Sequence, residues 1–569
     1  MLKCILLLII LALPVYAQNA IHSEILGSPT DKSIKIQIFF DQNCQVKALY
    51  GIDSNTLSQS TEWQNCSKDS ACTLFLQNLL PDAAYYYRIA YRAGADISPI
   101  VRPVHSFHTQ RKAGSGFVFT VQADPHMDNQ TDTSIYRMAL QNQLADKPDF
   151  MIDLGDIIMT DKLRNASKII TRDTILERCH LLRSWYEKAC HSIPLFIALG
   201  NHEGEAGWNL NGKADNFAVW SANLRKNYFV NPYPDSFYTG DTLNAQYIGQ
   251  RGNYYAWQWG DALFIVLDPY WYTTKKPDSL SGWNWTLGQQ QYNWLRSTLE
   301  NKKAAYTFIF AHQIIGGDPD GRGGVEYASL YEWGGNNLDG TRGFEKNRPG
   351  WYKPIKDLLR EHKVHIFFHG HDHFFAAQQK DCLIYQETPQ PGHPNFMNAG
   401  QADDYGYKQG IILPNSGHLR ITVIPERVKV EYIRSYAPGS QTANRKNGDI
   451  SAVYTVERDN CYDSLLTGVP VLWNEQYADE LVYPNPSKGH TFIQMHIPQD
   501  DFYTVDIIDM RGNIIRSLYN HSYIPVGKFI LLWDGRDNQG STVPTGTYLY
   551  SIFNHKSFRS NGFVSIVRE

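Results

Sequence analysis

An excess of charge of either sign is missing from this chain of 569 residues: 53 Lys and Arg stand against 57 Asp and Glu, for a formal net charge of −4. That balance leaves no basic footprint for nucleic acid and none for an anionic membrane surface. Cysteine is sparse, eight residues in all, and none has the spacing of a metal site, which argues against a cysteine-based zinc centre. After the first residues no apolar run approaches the length of a transmembrane segment. Internal repeats and low-complexity tracts are absent too. What remains is a globular composition, 43 % hydrophobic and 19 % charged, on a chain long enough for two to four domains. Aromatics reach 13 %, with 35 Tyr and 14 Trp, which favours β-rich modules.

Met1 to Ala17 reads as a secretory signal, with Lys3 at its start, an apolar core from Ile5 to Leu13, and the small-residue site Val15-Tyr16-Ala17. Export makes disulfides possible. With Cys4 removed, Cys44, Cys66, Cys72, Cys179, Cys190, Cys382 and Cys461 are left. Cys66–Cys72 and Cys179–Cys190 are the expected local pairs; spacing leaves the connectivity open, and the odd count leaves at least one thiol over unless it pairs between chains.

Five short blocks follow one another in the middle of the chain. They are Asp124-Pro125-His126, Gly155-Asp156, Gly200-Asn201-His202-Glu203, Ala311-His312 and Gly370-His371-Asp372-His373. Each stands just after a run that reads as a buried strand: Phe117 to Val121, Phe150 to Leu154, Leu195 to Leu199, Tyr306 to Phe310, and Val364 to Phe368. Functional groups collect at the carboxyl ends of such strands, so the blocks are expected at one edge of one sheet. Their mixed oxygen and imidazole donors suit Zn, Fe or Mn rather than Ca. Helices are expected between the strands, at Ile135 to Ala145, Ile175 to Ala189, Gly288 to Glu300 and Trp351 to His362.

The order D-x-H, GD, GNH[ED], H, GHxH resembles the calcineurin-like metallophosphoesterase superfamily. The resemblance implies an α/β domain built as a four-layer αββα sandwich and two divalent transition metals (Fe, Mn or Zn). One metal would take Asp124, His126, Asp156 and His373, the other Asp156, Asn201, His312 and His371, with Asp156 bridging. It further implies a metal-bridging hydroxide as nucleophile and His202 as proton donor or charge stabiliser. Glu203 is a weak candidate for orienting His202. Relatives that support this histidine with an aspartate three residues after the bridging one differ here, where Met159 stands. Purple acid phosphatases carry a tyrosine at that same place, bound to ferric iron, and lack the D-x-H histidine; the architecture thus resembles theirs in a non-purple form. His365 and His369 are expected to be structural, Asp372 to point away from the metals, and Asp153 to be either a sheet-edge residue or a support for the site from the strand. The glycine-rich loop from Gln313 to Trp351 is expected to overhang the site, with Arg322, Arg342, Trp333 and Asn336 as candidate substrate contacts.

Leu79-Leu80-Pro81-Asp82-Ala83-Ala84-Tyr85 resembles the tyrosine corner of fibronectin type III domains. Val482-Tyr483-Pro484-Asn485-Pro486 and Gly546-Thr547-Tyr548 resemble the C-terminal sorting domain of the Bacteroidota type IX secretion system; the alternative is an adhesive or carbohydrate-binding Ig-like domain. The expected organisation is a signal peptide (1–17), a fibronectin type III-like β-sandwich (20–111), the metallophosphoesterase domain (115–455), a linker (456–480) and a small Ig-like β-sandwich for sorting (481–569). The function implied is an exported dimetal phosphoesterase, secreted or held at the cell surface through the type IX secretion machinery. A phosphate monoester leads as substrate; a phosphodiesterase or nucleotide hydrolase is the alternative within the superfamily. Outside it stand a surface-binding protein on an inactive phosphatase scaffold and a secreted nuclease, against which the intact ligand set and the lack of basic excess argue in turn.

Overall fold

The computed structural model describes residues 21–160, 162, 169–278, 282–318, 321–442, 445–458, 481–483, 485–497, 501–524, 527–554 and 559–568. The expected signal peptide and most of the expected linker lie outside the described residues.

The N-terminal part of the chain is a sandwich of two antiparallel sheets. One has the order Ile21–Gly27, Ile34–Phe40, Ala71–Leu76; the other is built on Cys44–Gly51 and Ala84–Arg92. Inward residues alternate along Cys44–Gly51, as a strand with one face on a core requires. The Leu80 N–H donates to the Tyr85 hydroxyl at 2.9 Å and fixes the turn into the strand Ala84–Arg92. The Cys66–Cys72 disulfide staples one sheet to the other. Cys179 and Cys190 do not pair; both are buried free thiols. They share the helix Arg172–Cys190, and eleven residues of helix put their backbones roughly 16 Å apart, far beyond disulfide reach.

The middle of the chain is a four-layer αββα sandwich. Its first sheet has six strands in the order Leu195–Ile197, Phe150–Asp153, Phe117–Gln122, Gly417–Val423, Arg427–Arg434, Ile450–Glu457. The second has eight, and its centre is Ala262–Val266, Tyr306–Phe310, Ile366–His369 and Leu383–Glu387, all parallel. This corrects the expectation of a single sheet edge. Three motif strands lie in one sheet and two in the other, and the blocks meet where the two sheets face each other. The second sheet already takes in Tyr255–Trp259 and Ala262–Val266, ahead of the last two motif strands.

Aromatic side chains fill the space between the sheets. Phe119 meets Phe264 edge-on at 5.1 Å, and Phe310 stacks on Phe368 at 5.0 Å. Helices Thr133–Ala145 and Arg172–Cys190 cover the outside of the first sheet; Gly288–Glu300 and Ile355–Glu361 cover the second. The last helix begins later than the expected Trp351 because Pro354 caps it in an extended conformation. At the C-terminal end, a three-stranded and a four-stranded antiparallel sheet close over Ile493, Val505, Trp533 and Ile552.

The N-terminal sandwich lies directly on the helix Arg172–Cys190. Arg183 donates to Ser23 Oγ and Gln37 Oε1, each at 2.7 Å, and Arg102 bridges Glu187 at 2.8 Å and Glu24 at 3.4 Å. Burial pushes the Glu24 carboxyl up to about 7, against the pull of Tyr87 and Arg102. An acid raised in the folded state binds its proton more tightly there than in the unfolded chain. Its stabilising contribution is therefore present below pH 4.5 and is lost as pH rises towards 7. Glu24→Gln removes this titration. The variant should flatten the fall in stability between about pH 5 and pH 8, by up to about 3 kcal/mol at the upper end, and thermal unfolding across that range checks it.

Candidate metal centre

Asp124 and Asp156 occupy the first turns after neighbouring parallel strands. The Asp124 N–H donates to Gly155 O at 3.1 Å and the His126 N–H to Asp156 O at 3.3 Å, which zips the two turns together. The backbones of Asp124, His126, Asp156, His371 and His373 are all left-handed. That conformation is uncommon outside glycine and collects at functional sites. Two glycines make the approach possible. A Cβ on Gly155, which has φ +106°, would lie 2.4 Å from Gly200 N, and one on Gly200 would lie 2.3 Å from Asp156 Oδ1.

The group that holds these turns is Glu203. Its buried carboxylate accepts four backbone N–H bonds, from Asp156 (2.9 Å), Ile157 (2.6 Å), Ile158 (3.0 Å) and Gly200 (2.5 Å). It binds the GD turn to the GNH turn; these amides, not the His202 ring, are the partners of its carboxylate. The E of the GNHE block was the available signal, but its partners come from two separate loops. Burial, and the nearby Asp156, raise its pKa, while the amides oppose them.

The imidazoles converge on the two aspartates. His312 Nδ1 donates to Leu154 O at 3.0 Å, which turns Nε2 inward, 3.2 Å from Asp156 Oδ2 and 3.2 Å from His371 Nδ1. His126 Nε2 lies 3.6 Å from Asp124 Oδ1 and 3.7 Å from Asp156 Oδ2; His373 Nε2 lies 3.4 Å from Asp124 Oδ1. Ligand atoms of Asp124, His126 and His373 all fall within 4.8 Å of one another, and so do those of Asp156, His312 and His371. His202 stands at the rim, partly exposed, with Nε2 3.8 Å from Asp156 Oδ2 and its N–H on Asp156 Oδ1 at 2.8 Å.

Burial works against both aspartates, but His312 and His373 beside Asp124, and His312 and His202 beside Asp156, hold the carboxyls well below the usual range. Burial holds the His371 and His373 rings down, His373 to about 4, in the neutral form that binds a metal. Asp124 Oδ1, both ring nitrogens of His126 and Asn201 Oδ1 are buried without a hydrogen-bond partner. Orphaned buried polar atoms demand a reason. Cations among these donors would supply it, and the mixed carboxylate, amide and imidazole set fits divalent transition metals.

Arg322 reaches the centre and Arg342 does not. The Arg322 guanidinium donates to His371 O at 2.6 Å and Asp372 Oδ1 at 3.2 Å and stacks on Tyr405 at 4.4 Å. Asp372 also accepts from Gly323 N (2.8 Å) and Tyr407 Oη (2.7 Å), so it faces this loop. Arg342 pairs with exposed Glu345 at 2.9 Å. Trp333 is fully buried against Phe367 and belongs to the core, and Asn336 makes backbone bridges to Leu330 and Arg342 within its own loop. Asp153 braces the GD turn from below, accepting from Gly155 N at 3.1 Å, Gln122 Nε2 at 2.6 Å and Tyr186 Oη at 2.7 Å. His369 pairs with Glu387 at 2.7 Å inside the sheet, and His365 accepts the Thr307 N–H at 3.2 Å.

Comparison with known proteins matches two regions of the chain to families. The calcineurin-like phosphoesterase family matches residues 117–375, and the secretion system C-terminal sorting domain matches residues 481–564. Among solved structures, the chain is similar to PhoD at 16 % identity, over 80 % of this chain and 92 % of that one, with a TM-score of 0.57. It is also similar to the purple acid phosphatase PPD1 from yellow lupin (Lupinus luteus) seeds, at 14 % identity, over 76 % and 74 % of the two chains, with a TM-score of 0.50. At these identities the likeness is one of fold. No curated protein matches the chain. No helix among the described residues is long and apolar enough to cross a membrane.

Gly200→Ala tests the packing of the two turns. The added Cβ would displace the Asp156 carboxylate, so metal affinity should fall at least about 10-fold while circular dichroism stays that of the parent. Metal titration of the purified variant reads the outcome.

Proposed function

We propose that this chain, a metal-dependent phosphoric ester hydrolase with a calcineurin-like phosphoesterase domain, is an exported phosphomonoesterase with two metal sites that share Asp156. The observation that carries the reading is the position of Asp156 Oδ2, 3.7 Å from His126 Nε2 of one ligand group and 3.2 Å from His312 Nε2 of the other. In this reading Asp124, His126, Asp156 and His373 hold one ion, and Asp156, Asn201, His312 and His371 the other. Export rests on the signal-like Met1 to Ala17 together with the sorting domain, which would engage the type IX secretion machinery. The monoester assignment rests on the β-sandwich that precedes the catalytic domain, as in the purple acid phosphatases that the chain resembles.

Bound divalent ions supply Lewis acidity and activation of the attacking water. The chain's own residues do the rest. Arg322, held against His371 O and Asp372, keeps a positive charge beside the ligand cluster, where it would meet a phosphoryl oxygen. His202, anchored through its N–H on Asp156, leaves its ring at the rim, where it would give a proton to the departing alkoxide. Buried Asp124 and Asp156 offset the charge of the cations.

His202→Ala should lower kcat by roughly 10² to 10⁴ on phenyl phosphate and by much less on 4-nitrophenyl phosphate, whose leaving group needs no proton. Equal losses on both would remove the proton-donor role. A bis-aryl diester turned over faster than the monoester would replace the monoesterase reading by a diesterase.

Colour offers a second test. Met159, fully buried, stands where a ferric-binding tyrosine would be. The Tyr270 ring lies 6.3 Å from that of His312, but its hydroxyl donates to Gln313 at 2.8 Å. Iron-loaded, oxidised protein should show no visible phenolate charge-transfer band; a purple band would mean that a tyrosine reaches the metal and that the ligand set is wrong.

A further inference from the structure

The helix Arg172–Cys190 lies outside the first sheet and contributes no ligand, yet one of its side chains reaches the back of the ligand loops. Arg178 is buried, and its guanidinium spends all three of its nitrogens on backbone carbonyls. Nε donates to Ile158 O at 3.1 Å, Nη1 to Met127 O at 2.8 Å, and Nη2 to His126 O at 2.7 Å. His126 and Met127 are consecutive left-handed residues, with φ of 52° and 50°. Such a pair turns its carbonyls away from any regular ladder and leaves them to be satisfied by a side chain. The planar fork of arginine suits this task, because one rigid group with several fixed donors can span carbonyls from two loops. Asp128 lies close enough to offset its charge, and its Oδ2 is 3.7 Å from His126 Nδ1.

We infer that Arg178 is a positioning residue for the metal site of Asp124, His126 and His373: by clamping the carbonyls of His126, Met127 and Ile158 it sets the left-handed turn that aims the His126 ring at Asp124 and Asp156. The inference rests on the two-site reading given above. The second group shares Asp156, whose turn Arg178 touches at Ile158 O but which Glu203 holds independently through the Asp156, Ile157 and Ile158 amides. Its two imidazoles come from the other sheet and are held by contacts in which Arg178 has no part, namely His312 to Leu154 O and the His371 N–H to Asp124 Oδ2 at 2.9 Å. Loss of Arg178 should therefore fall on one metal, not on both.

A matched control lies on the same helix. Arg183 is buried more deeply still, but its bonds run to Ser23, to Gln37 and to Tyr228 O, and none to the ligand loops. Arg183→Met removes a buried guanidinium without touching the site.

The experiment is metal content and Mn²⁺ titration by calorimetry on full-length wild type, Arg178→Met and Arg183→Met, with melting temperatures recorded beside them. Wild type should bind two Mn²⁺. Arg178→Met should keep one at the parent affinity and bind the other about 10- to 100-fold more weakly, while Arg183→Met melts lower and keeps both. Should Arg178→Met not accumulate as folded protein, Arg178→Lys decides in the same assay, since an ammonium keeps the charge but cannot span three carbonyls; it should weaken the same single site. Two sites of unchanged affinity in the folded Arg178 variant would overturn the inference, as would equal weakening of both sites or an equal effect of Arg183→Met. Fewer than two sites in wild type would instead overturn the two-site reading itself.

Discussion

One buried carboxylate, Glu203, is the contact on which the centre depends. A carboxylate removed from water needs hydrogen bonds to every lone pair it can offer, and Glu203 finds four in the amides of two adjacent turns. Three of those amides belong to Asp156, Ile157 and Ile158 and the fourth to Gly200, so satisfying Glu203 fixes the backbone that carries the central aspartate against the neighbouring turn. The glycines at 155 and 200 let the turns come within bonding distance, and Asp124, His126 and Asp156 stand there in left-handed conformations. Conformational strain at a functional site persists only where surrounding contacts over-determine it; here Glu203, Arg178 and Asp153 supply those contacts from three sides.

The helix Arg172–Cys190 connects this centre to the N-terminal sandwich. Through Arg178 it touches the turn that bears His126, and through Arg183 and Glu187 it carries the first strands of the sandwich. Ile25 and Phe39 of that sandwich share an apolar cluster with Ile175, Cys179 and Leu182 of the helix. The N-terminal sandwich is thus part of the support beneath the ligand loops.

The strand-then-turn blocks were legible because a buried strand followed by Asp, Asn or His stands out in any sequence, and because five of them occur in order. The ends of the strand Tyr306–Phe310 and of the helix Gly288–Glu300 were readable to the residue. Sheet membership was not. Which strands pair is set by long-range register that no local pattern carries, so Phe117–Gln122 and Tyr306–Phe310 look alike in sequence yet lie in different sheets. The Cys179–Cys190 expectation failed because spacing along the chain ignores the rise of an intervening helix. The roles of Glu203 and Arg178 were out of reach for a related reason. Each is defined by backbone groups from two loops brought together by the fold, and backbone amides and carbonyls leave no mark on the sequence.

The central claim is that two ions sit on either side of the Asp156 carboxylate. Anomalous diffraction from crystals of the full chain, recorded at the Mn, Fe and Zn absorption edges, tests it most directly. Two peaks about 3.5–4 Å apart, one beside Asp124, His126 and His373 and the other beside Asn201, His312 and His371, with the Asp156 side chain between them, are the predicted result. A single peak, or two peaks that leave Asp156 outside their shared edge, would contradict it.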